Sequence, residues 1–196
     1  MARGERLSEQ LDWYWRKNLR PRLEGLTDEE YFWEPVRGCW SLRPRGTSAA
    51  PMSDDAVEWT MDQVTHGPVP APVTTIAWRL AHVIVSCLGY RVGWYFGGQH
   101  VDSETFAYAG TADEALEQLD EMYGRWHAGV RDLSDADLDN PPTLGPERFP
   151  MENRILHVNR ELIHHGAEIC LLRDLYRWQD PVAAVSGGDH DAVADA

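Results

Sequence analysis

Residues 159–176 read "NRELIHHGAEICLLRDLY", and in them Glu161, His164, His165 and Glu168 interrupt an otherwise apolar helical pattern. Imidazoles and carboxylates three and four residues apart face one another along a helix, so they can pair by hydrogen bonds or converge on a metal ion. Helical phase separates the inward groups from the outward ones. Ile155, Val158, Leu162, Ile169, Leu172 and Tyr176 form a seam alternating three and four apart, and its vacant place falls on position 165. His165 therefore belongs to the core stripe. His157 and His164 each fall one residue short of a seam position and lie on another face. Glu161 precedes His165 by one turn on the same side, and Glu168 sits one turn further along.

A buried imidazole beside a buried carboxylate is more often a satisfied hydrogen-bonded pair than a ligand set. The stretch "WRLAHVIV" shifts that balance. Trp78, His82, Val85 and Val92 share one stripe of a segment that is apolar nearly all round. An imidazole there is desolvated and needs a partner. Two buried histidines and a carboxylate from two helices make a three-donor set, His82, Glu161 and His165. It suits zinc, or another divalent metal such as nickel, with one position left for water or substrate. A plain His/Glu hydrogen-bond cluster is the competing reading, in which Glu161 only orients His165. Glu161 to His164 spells Glu-x-x-His, an element of di-iron bundles, but such sites need a second copy and the sequence has none. Cys87 and Cys170 each follow a proposed ligand by five residues and point off its face, so both read as core packing. His66, His100, His127 and His190 read as surface residues.

Four helical segments must position these groups. The first covers residues 6–25, with Leu7, Leu11, Tyr14, Leu19 and Leu23 near helical spacing and Pro21 able to kink it. In "LTDEEYFWEP", Thr27 can cap a short turn carrying Asp28, Glu29 and Glu30. Residues 36–73 form a long loop rich in Pro, Gly and Ser, in which Trp40, Trp59 and Met61 are expected to pin the chain to the body. The second helix spans 74–96 and ends at Gly97 and Gly98. Thr111 with Glu114 announces the third by a capping-box pattern. Its stripe is Leu116, Leu119, Met122 or Tyr123, Trp126, Val130 and Leu133. The fourth spans 151–178, where Arg173 and Asp174 read as a structural ion pair or as partner contacts. No internal repeat and no strand pair is evident. The fold class is all-α, a four-helix bundle over residues 1–179 with a long loop between helices 1 and 2. Residues 180–196 form an acidic tail with the composition of a disordered segment.

Composition narrows the function classes. The chain has 196 residues, enough for one sizeable core, and nine tryptophans to fill it. Its net charge of −14 argues against nucleic acid or an anionic membrane as partner, because phosphate binding needs clustered basic residues. No uncharged apolar run approaches the length of a membrane span, and the first residues lack the apolar core of a signal peptide. Three cysteines with no Cys-x-x-Cys pair favour reduced thiols and a cytoplasmic location.

The two histidine segments resemble the DinB-like superfamily of four-helix-bundle metalloproteins, whose members carry one ligand on the second helix and two, four residues apart, on the last. "TIAWRLAHVI" resembles the second-helix motif. "RELIHHGAEI" resembles the variant of mycothiol-dependent maleylpyruvate isomerases, in which a glutamate replaces one histidine. Carried over, the ligands are His82, Glu161 and His165, the set that helical phasing selects independently. Gly166, Ala167 and Glu168 stand where many members have Arg-Gly-Gln, so the surroundings of the site differ.

The resemblance implies chemistry with a low-molecular-weight thiol as co-substrate, mycothiol, bacillithiol or glutathione, of which the bias to arginine, with Lys17 the only lysine, favours mycothiol; a small-molecule electrophile would be held under the loop of residues 36–73. The reaction would be S-transfer or isomerisation through a metal-bound thiolate. Arg79 and Arg91, on the buried second helix, could meet an anionic substrate or pair with acidic neighbours. A metal-dependent hydrolase with Glu168 as base is the alternative enzyme, and a non-catalytic ligand-binding or stress-response module the alternative outside enzymes. Homodimerisation through bundle faces is compatible with the superfamily.

Overall fold

The computed structural model describes residues 2–52, 57–64, 67, 69–146 and 148–179. The 180–196 tail, His66 and His190 lie outside the described residues. All four expected helical segments form, and they pack as an all-α bundle. The first begins as α1 (Arg3–Tyr14), widens into a π turn at Trp15–Leu19 and tightens into a 3-10 turn at Arg20–Leu23. Pro21 lies in that last turn, where its missing N–H leaves the helical ladder without a donor. Thr27 caps α2 (Asp28–Tyr31) by accepting a hydrogen bond from the Glu30 amide at 3.2 Å.

The second bundle helix comprises α3 (Ile76–Ala81), a π-helical segment His82–Gly89 and α4 (Tyr90–Phe96). Thr111 caps α5 (Ala112–Arg131), and Ser134 caps the short α6 (Asp135–Asp139). The fourth is α7 (Met151–Trp178), which buries Ile155, Val158, Leu162, His165, Ile169 and Leu172 along the expected seam. None of the described helices is long and apolar enough to cross a membrane.

Between the first two bundle helices the loop contains an antiparallel strand pair that the sequence does not advertise. β1 (Leu42–Pro44) pairs with β2 (Trp59–Met61), Leu42 opposite Met61 and Pro44 opposite Trp59. Strands of three residues are too short to show a two-residue period, and no tight hairpin turn joins them.

The loop is pinned as its aromatics suggest. Trp59 stacks on Phe32 with centroids 5.1 Å apart, Met61 is fully buried, and Trp40 exchanges backbone hydrogen bonds with Val73 and Thr75. Asp62 anchors it further, accepting from the Ser41 amide at 2.9 Å and the Arg43 Nε at 3.1 Å. The carbonyl of Asp62 accepts from Trp78 Nε1 at 2.8 Å. The loop thereby holds the first turn of the second bundle helix.

Beneath the far end of α7 lies an ion pair withdrawn from water. Arg173 Nε and Nη2 meet the two carboxylate oxygens of Glu30 at 2.6 and 2.9 Å, with both residues buried. Arg173 Nη1 also donates to the carbonyls of Arg22 and Glu24. These bonds tie α7 to the end of the first bundle helix and to α2. Asp174 pairs instead with Arg22 at the surface.

Candidate metal centre

Inside the bundle, where the π segment faces α7, four side chains converge. Ligating atoms of His82, Cys87, Glu161 and His165 all lie within 4.8 Å of one another. His165 and Cys87 are buried, and His82 and Glu161 are partly so. The edge of one imidazole meets the face of the other, with His82 and His165 centroids 4.7 Å apart and their planes at 85°. Glu161 Oε2 is 3.5 Å from His165 Nε2, as expected of residues one turn apart on α7.

Cys87 corrects the expectation of simple core packing away from the site. On an α-helix, residues five apart differ by about 140° and face different neighbours. Over His82–Gly89 the chain is π-helical, with i to i+5 hydrogen bonds and a wider turn, so positions 82 and 87 come much closer to a common face. Helical phasing at 3.6 residues per turn cannot find this thiol. A Cys five residues after a His on a nearly featureless apolar segment is a weak signal at best.

The surroundings fix each donor. His82 stacks on Trp78, centroids 5.3 Å apart and planes at 8°, and Trp40 packs against the same indole. His165 is oriented from the side away from Glu161. Its Nδ1 is 2.7 Å from Glu168 Oε2, which is itself held by Arg79 Nη1 at 3.0 Å. Arg79 also lies 3.3 Å from that Nδ1, but a guanidinium only donates. The carboxylate is the nearer partner and can only accept, so a neutral ring making this contact donates from Nδ1. The lone pair of Nε2 then faces Glu161 and the cluster. Glu161 Oε1 is 3.3 Å from Arg160 Nη2 and 3.6 Å from His157 Nδ1.

Electrostatics match a cation-accepting pocket. Burial depresses His82 to a pKa of about 4, helped by the neighbouring His165 and Arg79, so this imidazole is neutral. Desolvation would raise Glu161, but the Arg160 hydrogen bond and the adjacent His157 and His165 outweigh it and hold the carboxyl below its ordinary value. Burial pushes the Cys87 thiol up to about 12. Imidazole, carboxylate and, as its thiolate, cysteine are the donor types zinc and similar divalent metals take. Donor atoms around tetrahedral zinc lie about 3.3–3.7 Å apart, given bonds of about 2.0–2.3 Å. Small side-chain shifts would close a spread of up to 4.8 Å to that size.

His164 points outward, its side chain 63% exposed, as phasing predicts. It joins His165 and Glu168 in a second group of potential ligands. Arg79 and His165 already engage the Glu168 carboxylate, which makes that group an ion-pair network. The same engagement leaves Glu168 poorly placed to act as a free base. His100 is exposed against Trp94, and His127 stacks on Tyr123, both away from the cluster. A cavity of about 330 Å³ opens beside the π segment, between Ser86, Tyr90, Trp94 and Val101, but none of the four donors lines it.

A family model described as the DinB superfamily matches residues 10–169, a span that includes every residue of the cluster. No curated protein and no solved structure matches the chain.

Proposed function

The chain belongs to the DinB superfamily, and from that premise we propose that it is a metal-dependent enzyme joining a low-molecular-weight thiol, of the mycothiol type, to a small electrophile or isomerising an adduct of the two. His82, Glu161 and His165 hold the metal, zinc being the best match to the donor set. A divalent metal with a single carboxylate donor keeps net positive charge and favours the thiolate form of a thiol at neutral pH. Trp78 holds the His82 ring by stacking, and Glu168 holds the His165 tautomer, so the donors are preorganised.

The observation that carries this reading is the convergence of the two imidazoles and Glu161, from two helices, in a pocket where His82 is neutral and Glu161 is ionised. Hydrolysis is the weaker reading, because the carboxylate it would use as a base, Glu168, is committed to Arg79 and His165. Metal content of wild type, His82→Ala and His165→Ala, followed by a thiol-dependent screen against activated electrophiles, tests the proposal. Stoichiometric metal lost from both variants, with turnover that requires thiol, is the expected result. A metal-loaded protein that neither binds thiols nor turns over any electrophile would refute the thiol reading.

A further inference from the structure

Cys87 is the donor that the three-ligand reading does not use. Its residue is 3% exposed. A buried cysteine is by default a small apolar filler, and two observations argue for more. The first is position: the sulfur belongs to the group whose ligating atoms all lie within 4.8 Å of one another, with His82 and His165 on either side of the bundle interface. The second is the backbone that puts it there. A π-helical stretch of eight residues, His82–Gly89, is rare, and such widenings are frequent at functional sites.

The wide turn is supported locally. Arg91 Nη1 donates to the carbonyls of Ser86 and Cys87, and Gly89 leaves no side chain where a Cβ would lie 2.8 Å from the Ile84 carbonyl. Straightened to α-helical geometry, the segment would turn residue 87 about 140° away from residue 82.

We propose that Cys87 is a fourth metal ligand, so that a thiolate of the chain's own completes a two-imidazole, one-carboxylate, one-thiolate set. The inference rests on the metal-site reading above and adds to it. Four protein donors describe a closed site. A small thiol would then compete with Cys87 for its position, and the chain would hold its metal more tightly than three donors can.

The test uses the full chain purified without thiol reductants and loaded with cobalt(II), whose thiolate complexes show an intense near-ultraviolet sulfur-to-metal band. Wild type is expected to show that band, Cys87→Ser to lose it while still binding cobalt, and Cys170→Ser to keep it. Far-ultraviolet circular dichroism checks that the variants are folded, and the wild-type spectrum needs no variant at all. Cobalt bound without the band, or a band that survives in Cys87→Ser, would overturn the inference while leaving the three-ligand site standing. No cobalt binding in the wild type would overturn both.

Discussion

Glu168 Oε2 lies 2.7 Å from His165 Nδ1, on the opposite side of the ring from Glu161. A carboxylate so placed selects the tautomer and raises the basicity of the nitrogen that faces the cluster. Glu168→Gln keeps the shape but substitutes an amide, which can also donate. Metal affinity is expected to fall about 10- to 100-fold, with the metal still bound at saturation. Chelator competition measures it. An unchanged affinity would reduce Glu168 to a surface partner of Arg79.

Binding at the cluster should stabilise the folded chain, because the donors come from the π segment and α7 and converge only when the two pack. At a hundredfold excess of free metal over Kd the gain is about 2.7 kcal/mol, or about 5–10 °C in Tm for a chain of this size. Thermal scans with and without a chelator read it directly. His82→Ala and His165→Ala should each melt at the same temperature in both conditions. A chelator-sensitive Tm in either variant would place the metal elsewhere.

Arg173 and Glu30 make the strongest structural prediction. Removing one partner leaves a desolvated charge without compensation, which costs about 3–5 kcal/mol. Arg173→Met and Glu30→Gln should each lower the urea midpoint by that equivalent. Replacing both residues with apolar ones should restore much of the loss. Additive losses in the double variant would contradict a coupled buried pair.

How much of this was legible beforehand varies with the range of the interaction. The seam of α7 follows from the spacing of Ile155, Val158, Leu162 and Ile169, and it delivered His165 inward and His164 outward. Thr27 and Thr111 announced their caps, because capping is decided within three residues. Other features depend on geometry that periodicity does not encode. The π segment changes the angular step, so Cys87 joined a face that 3.6-residue phasing denies it. The Glu30–Arg173 pair joins positions 143 apart in sequence, and only the packed bundle brings them together. The β1–β2 pair is too short to stand out against its loop. Glu168 was visible as a neighbour of His165, yet its role emerged only with Arg79 on its other side.

Acid should weaken the bundle through Asp12. Its carboxylate accepts from the Tyr123 hydroxyl at 2.9 Å and from Arg16 Nε at 2.6 Å, joining the first bundle helix to α5 beside the stacked Trp15–Tyr123 pair. Desolvation works to raise the Asp12 pKa, but the Tyr123 and Arg16 hydrogen bonds prevail and hold it below the ordinary value. A carboxyl whose folded pKa is depressed adds stability that is fully present above the unfolded value of about 3.9 and is lost as pH falls through the folded one. Asp12→Asn should therefore be less stable than wild type by about 1–2 kcal/mol at neutral pH. That gap should shrink below about pH 4 as wild-type Asp12 takes up its proton. Urea titrations of both proteins across that range decide it. A gap independent of pH would mean that the variant disturbs packing at Tyr123 and that the Asp12 charge contributes nothing.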